Sequence, residues 1–215
     1  CEEGGPLMKI VAINGSPRKN GNTARCLEAV GREVTAAGVE FQVFQPGPNV
    51  RPCMACYHCL NTGSLRCVRE DDGVNDIIAA CIEADGILLA SPVYHGGIAG
   101  GMKCVLDRLM LAAGCGDNQL RRKAGGALCT LRRSGGMETY QQLLGTMDAM
   151  EMVIVTSDYW GAVHGADPGE VLEDEEGMAV ARKLGRNMAW MVKVLHDTAV
   201  PIPADVSRPM MNFIR

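Results

Sequence analysis

Two rhythms of apolar and polar positions alternate along this chain. Short runs rich in β-branched and apolar residues at 9–14 (KIVAIN), 39–44, 86–90, 127–131 and 152–157 read as strands. Between them, apolar residues recur at helical spacing over 22–37, 74–84, 101–113, 137–150 and 173–197. In the first of these helices Ala24, Leu27, Ala29, Val30 and Val34 form the inward stripe, and Gly38 ends it. The order is β-α repeated five times, and the strands are too apolar to show one face to water. A chain so patterned makes an α/β fold of three layers, a parallel sheet covered by helices on both faces. Five strands take the order 2-1-3-4-5, with a ligand crevice beyond the carboxyl ends of the strands.

Length and composition narrow this picture. The chain has 215 residues, 47% of them apolar, and a net charge of −4. One domain accounts for residues 8–200, with an elaborated loop at 47–72. Met8 stands directly before the first strand, so residues 1–7 read as an expression remnant or an upstream extension, with a processed lipoprotein cysteine at Cys1 as the alternative. The tail, 201–215, carries Pro201, Pro203 and Pro209 and cannot continue a helix; it frays or lies across a neighbouring subunit. The mild negative charge argues against binding nucleic acid by neutralising phosphates. No apolar run approaches the length of a membrane helix.

Ten cysteines change the picture more. Four crowd into 53–67, and the rest are scattered. A secreted disulfide scaffold spreads its cysteines as a framework. The crowding instead predicts a reducing, cytoplasmic setting and a metal or redox site.

Three loops follow the first, third and fourth strands and converge on the predicted crevice. Gly15-Ser16-Pro17-Arg18-Lys19-Asn20-Gly21-Asn22-Thr23 joins strand to helix, so backbone N–H groups and the helix dipole make an anion site there. Ser16, Asn22 and Thr23 add hydrogen bonds and Arg18 a charge. The alternative is a polar turn capped by Asn22 or Thr23. No Lys precedes Thr23 as a Walker A loop requires, and the dinucleotide Gly-x-Gly-x-x-Gly is absent there. Ser91-Pro92-Val93-Tyr94-His95-Gly96-Gly97-Ile98 offers an aromatic face at Tyr94 and glycines that let backbone approach a flat ligand. His95 is a proton donor or, more simply, a hydrogen-bonding loop residue. Thr130-Leu131-Arg132-Arg133-Ser134-Gly135-Gly136 adds two arginines, which either stabilise an anionic cofactor or are solvated.

Gly-Ser-Pro-Arg-x-x-Gly-Asn-Thr followed by Ser-Pro-Val-Tyr-x-Gly resembles the NADPH-dependent FMN reductases of the flavodoxin-like superfamily over residues 8 to about 160. The resemblance implies FMN, its phosphate on Ser16, Arg18, Asn22 and Thr23. It implies an isoalloxazine along Pro92, Val93, Tyr94, His95, Gly96 and Gly97, with Thr130, Arg132, Ser134 and Gly135 closing one side. It also implies a homodimer or homotetramer, because neighbouring subunits in that family complete the flavin site.

Cys53, Cys56, Cys59 and Cys67 have the spacing C-x2-C-x2-C-x7-C. Thiolates three residues apart can surround one face of an iron–sulfur cubane, and a fourth brought back by a turn at Gly63 completes the set. Zinc more often uses two C-x2-C knuckles a dozen or more residues apart. A [4Fe-4S] cluster, uncoordinated or disulfide-forming thiols, and zinc all remain open at this point. The spacing resembles that of the iron–sulfur flavoproteins of anaerobic microbes, whose second-strand loop carries a [4Fe-4S] cluster beside FMN; seven residues is at the long end of that pattern. Cys26, Cys81, Cys104 and Cys129 read as core-filling thiols, and Cys115 as the exposed one. The acidic run over 170–176 reads as capping the last helix.

The expected function is that of a redox flavoprotein. FMN and a [4Fe-4S] cluster would carry electrons between a one-electron donor, such as ferredoxin, or NAD(P)H, and a small-molecule acceptor. The competing readings are a cluster-free NAD(P)H-dependent FMN or quinone reductase, and a non-enzymatic electron carrier or redox sensor. No protein nucleophile or acid–base pair is evident.

Overall fold

A computed structural model describes residues 8–114, 116–206, 209 and 211. The main strands are β1 (Lys9–Asn14), β2 (Glu40–Phe44), β3 (Gly86–Tyr94), β5 (Ala124–Leu131) and β6 (Val153–Ile154), hydrogen-bonded in the order β2-β1-β3-β5-β6, all parallel. This is the expected 2-1-3-4-5 arrangement. Two short strands stand off that path: β4 (Gly97–Ile98) pairs back on β3, and β7 (Ala162–His164) pairs with β5. The helices are α1 (Asn22–Ala36), α2 (His58–Thr62), α3 (Val74–Glu83), α4 (Gly100–Ala113), α5 (Gly136–Ala149) and α6 (Glu175–Asp197).

Successive side chains of a strand point to opposite faces, and here both faces are covered. Val11, Ile13, Ile87 and Leu89 pack into the core beneath α3, α4 and α5. Ile10, Ala12, Leu88 and Ala90 pack into the other core, against α1 and α6. At Gly185 of α6 an added Cβ would lie 2.8 Å from the Val30 carbonyl oxygen, so glycine there lets α6 approach α1 backbone to backbone. Asp174 caps α6, accepting a hydrogen bond from the Gly177 N–H at 2.9 Å, as the acidic run predicted. Among the described residues no helix is long and apolar enough to cross a membrane. Cys1, Cys115, the 1–7 segment and much of the tail lie outside the described residues.

The fifth strand differs from expectation. A continuous strand over 152–157 is predicted, but only Val153 and Ile154 pair with β5 as β6, with the Val155 N–H extending the contact to Gly125. Thr156, Ser157 and Asp158 are polar and leave the sheet, and Tyr159 and Trp160 lie exposed on the resulting bulge. The chain returns at Gly161, where an added Cβ would lie 2.4 Å from the Ala127 carbonyl oxygen, and β7 then pairs the far end of β5. Only glycine permits that approach, so the edge is one strand broken into two pieces.

Candidate functional site

The carboxyl ends of β1, β3 and β5 open into a crevice of about 220 Å³. Its walls bring together Ser16, Arg18, Asn22 and Thr23, then Pro92, Val93 and Tyr94, then Thr130 and Arg132, from all three predicted loops. The first loop is locked from beneath. The Gly15 N–H donates to the Ala90 carbonyl at 2.7 Å, the Ser16 N–H to Asn14 Oδ1 at 3.1 Å, and the Arg18 N–H to Ser16 Oγ at 3.1 Å. Thr23 and Thr130, both buried, share a hydroxyl–hydroxyl hydrogen bond of 2.9 Å that ties the first loop to the third. Arg18 and Arg132 are exposed at the rim, leaving their charges available to an anionic ligand.

The second loop is a hairpin. Val93 pairs with Ile98 and Tyr94 with Gly97, leaving His95 and Gly96 as the two-residue turn, both at positive φ (49° and 77°). That is the signature of a type I′ turn, which suits the strand twist. His95 is thus an exposed turn residue, whereas Tyr94 faces the crevice. Gly135, at φ 85°, caps α5; an added Cβ would lie 2.9 Å from Val93 Cγ1 and 3.0 Å from Gly96 Cα. The third loop therefore rests directly on the second. Ser134 and Gly135 line the neighbouring hollow with Arg133, Tyr159 and Trp160, not the crevice itself.

Asn22 departs from its simplest expectation. Its side-chain amide donates to the Gly165 carbonyl at 3.0 Å, and its Oδ1 accepts from the Gly169 N–H at 2.7 Å. It holds the 165–169 segment over the crevice, where Gly165 and Ala166 complete the wall. Sequence reasoning missed this segment, although Gly165, Pro168 and Gly169 mark a turn. It also missed the loop over 45–50. Gln45 Nε2 donates to the Ser16 carbonyl at 2.7 Å, and Pro46, Gly47, Pro48 and Val50 line a hollow of about 490 Å³ on the other side of Tyr94, with Cys104 on its wall.

Cys53, Cys56, Cys59 and Cys67 line one narrow cavity, together with Arg69 and Arg108. The 53–67 loop is bent by residues that rarely take a left-handed backbone: Ala55 (φ 51°), Tyr57 (54°) and Leu65 (54°), in addition to Gly63 (62°). Such turns point backbone N–H groups inward, and the Ala55 N–H donates to Cys53 Sγ at 3.4 Å. Cys59, in α2, is buried, and Cys56 is exposed. Cys67 is held most firmly. Asn75 of α3 accepts its N–H at 2.8 Å and donates to its carbonyl at 2.9 Å, while Arg108 Nε of α4 donates to its Sγ at 3.2 Å.

This donor set bears on the alternatives the sequence left open. Among the described residues no three His, Cys, Asp or Glu side chains form a group able to hold one metal ion. Zinc draws its thiolates round a single centre at about 2.3 Å. A four-iron cluster carries each thiolate on a different iron. Arg69 adds a buried Nε with no hydrogen-bond partner among the described residues, a donor suited to the sulfur-rich, negative surface of a cluster. Four thiols with two guanidinium groups are a donor set that fits such a cluster. The scattered cysteines contrast with them: burial pushes the Cys26, Cys81 and Cys129 thiols up to about 12, so they stay protonated and apolar.

The flavodoxin-like sheet, with a crevice at its switch point, and the comparisons together put the chain in the class of FMN-dependent oxidoreductases working between an electron donor and an acceptor. The sequence matches the model of the NADPH-dependent FMN reductase family over residues 8–167, and the chain belongs to that family. It is similar to an iron-sulfur flavoprotein of Methanocaldococcus jannaschii, 35% identical over 197 residues that cover 87% of this chain and 99% of the relative. An iron-sulfur flavoprotein of Methanosarcina thermophila is 31% identical over 192 residues, 87% of this chain and 97% of the relative. Among solved structures, RosB with the bound intermediate 8-demethyl-8-formylriboflavin-5'-phosphate aligns with a TM-score of 0.69 at 16% identity, over 97% of this chain and 96% of that one. A WrbA-like flavodoxin from Agrobacterium tumefaciens aligns with a TM-score of 0.60 at 16% identity, over 87% and 98%. At such identities these two bear on the fold alone.

Proposed function

We propose that this chain is a redox flavoprotein that holds FMN in the three-loop crevice and a [4Fe-4S] cluster on Cys53, Cys56, Cys59 and Cys67. It passes electrons between a one-electron donor and a small acceptor. The observation that carries this reading is the convergence of all four cysteines on one cavity with two guanidinium groups, in a chain whose family is that of FMN reductases. The names of the relatives from M. jannaschii and M. thermophila support it independently. When bound together, FMN supplies both one- and two-electron chemistry and the cluster one-electron chemistry.

The chain's own residues bind and orient. Backbone N–H groups at the start of α1, with the helix dipole behind them, receive the phosphate beside Ser16, Arg18 and Thr23. Asn22 acts through its place at the helix start and by fastening the 165–169 segment over the ligand. Pro92, Val93 and Tyr94 offer the face for the flavin ring, and the His95–Gly97 turn presents backbone to it. Thr130 and Arg132 close the opposite side, with Ser134 and Gly135 supporting the hairpin. Arg132 is placed to stabilise negative charge on a reduced flavin.

Ferredoxin or NAD(P)H is the proposed donor, and the cytoplasm the proposed location, consistent with the described cysteines all being free thiols. A homodimer or homotetramer is supported by the exposed rings of Tyr94, Tyr159 and Trp160 around the crevice mouth and the adjoining hollow. The test is iron, acid-labile sulfide and FMN per chain, on protein purified without oxygen. Four irons, four sulfides and one FMN are expected. Flavin without iron after reconstitution would leave the cluster-free NAD(P)H reductase, and neither cofactor would overturn both readings.

A further inference from the structure

Arg108 is the largest fully buried side chain of the described residues, with 1% of its surface exposed. A guanidinium is costly to remove from water unless every donor finds an acceptor. Among the described residues its partners come from the cysteine loop. Nη1 pairs with the Asp72 carboxylate, itself buried, and donates to the Arg51 carbonyl at 3.3 Å; Nη2 donates to the Arg69 carbonyl at 2.9 Å. Asp72 also accepts from the Arg51 N–H at 3.2 Å, so the loop's entry and exit meet on one ion pair. The remaining contact is different in kind, because Nε donates to the Cys67 sulfur at 3.2 Å. Loop fastening alone would be met by the carbonyls and by Asp72. The Nε–H is spent on a sulfur that the proposed function makes a ligand.

We infer that Arg108 sets the redox potential of the cluster by donating the Nε–H hydrogen bond to the Cys67 thiolate. This rests on the cluster reading above. Reduction adds one electron and no proton, so negative charge on the thiolate sulfurs grows and a fixed N–H donor favours the reduced state. Hydrogen bonds to sulfur are among the factors that tune such potentials. The geometry also makes Cys67 unlike its three companions. Its backbone is clamped by Asn75 and its sulfur by Arg108, whereas among the described residues Cys53 Sγ accepts a local N–H from its own turn. Arg108 is a positioning residue that acts through Cys67.

Two variants separate this role from simple loop fastening. Arg108→Lys keeps a cation for Asp72 but loses the directed Nε–H. The double variant Arg108→Gln with Asp72→Asn removes both charges together, leaving the net charge of the chain unchanged. Each is assayed anaerobically for iron and sulfide, then titrated with redox dyes while the paramagnetic signal of the reduced cluster is followed. In both variants the potential is expected to move to more negative values, so that the reduced-to-oxidised ratio at a fixed potential falls about tenfold, which is about 59 mV for a one-electron couple. A full cluster with an unmoved potential in either variant overturns the inference. Loss of iron from both variants overturns it too, because Arg108 would then be needed for assembly and not for tuning. A wild-type chain that takes up no iron overturns the cluster reading itself, a result distinguishable from the other two.

Discussion

The three-loop crevice and the cysteine cavity are built on opposite principles. The crevice is made by loops at the ends of three adjacent strands. Sheet register places Asn14 beside Ala90, and Pro92 beside Thr130, so the loops after β1, β3 and β5 meet because the sheet exists. The cavity has no such scaffold. Its loop leaves edge strand β2, passes through three left-handed non-glycine residues, and is held to α3 and α4 by the side chains of Asn75, Asp72 and Arg108. A site made by strand ends tolerates most single side-chain changes. A site suspended on a buried ion pair does not.

The sharpest way to break this comparison is at a proposed cluster ligand. Cys56→Ser is expected to remove nearly all iron and sulfide while FMN per chain stays unchanged; loss of both cofactors together would show that the two sites are not independent. Next in size is Asp72→Ala, which leaves the Arg108 guanidinium buried and uncompensated. Breaking a buried pair in this way costs about 3–5 kcal/mol, to be read by urea denaturation of the cofactor-free chain. A loss under about 1 kcal/mol would mean the loop does not depend on that pair.

Gly135→Ala probes the support of the crevice, where the third loop rests on the second with no room for a side chain. A side chain at φ 85°, pressed against Val93 and Gly96, carries strain of about 1–3 kcal/mol. Weaker FMN binding with unchanged iron content is the expected outcome, and a parallel loss of iron would again join the two sites.

The smallest effect is expected at Asp174, which caps α6 and accepts the His164 N–H of β7 at 2.7 Å. Burial raises its carboxyl, but the hydrogen bonds from the His164 and Gly177 N–H groups and from the His164 side chain, with the nearby His164 charge, outweigh that and hold it below its ordinary value. A carboxylate lowered in the folded state adds stability that is complete above its unfolded value, about 3.9, and is lost as the pH falls through the lower folded value. Asp174→Ala should therefore cost about 1 kcal/mol at neutral pH. The gap between variant and parent should close below about pH 4 in pH-dependent thermal denaturation, with iron content untouched throughout.

Much of the fold was legible because its signals are local. KIVAIN, the apolar run from Gly86 and the glycine-bearing loops after them each declare their structure within about ten residues. The four cysteines were equally visible as a spacing. Arg108 was not. It lies on the stripe of Val105, Leu109 and Ala112, where an arginine is out of place, and that was the one available signal. Its partners are 36 to 57 residues away, and no local pattern names them. The partners of Asn22 were hidden for the same reason, since Gly165 and Gly169 lie at separations of 143 and 147.

By itself the sequence determined the order of strands and helices, the three loops at the crevice and the identity of the four thiols, because periodicity, turn residues and ligand spacing are short-range properties. Tertiary structure alone decided that the edge strand breaks at Gly161, that Asn22 holds a roof over the crevice, and that Arg108 reaches the sulfur of Cys67. Each of these is a contact between distant segments, and its energy exists only once the sheet has brought those segments within hydrogen-bonding distance.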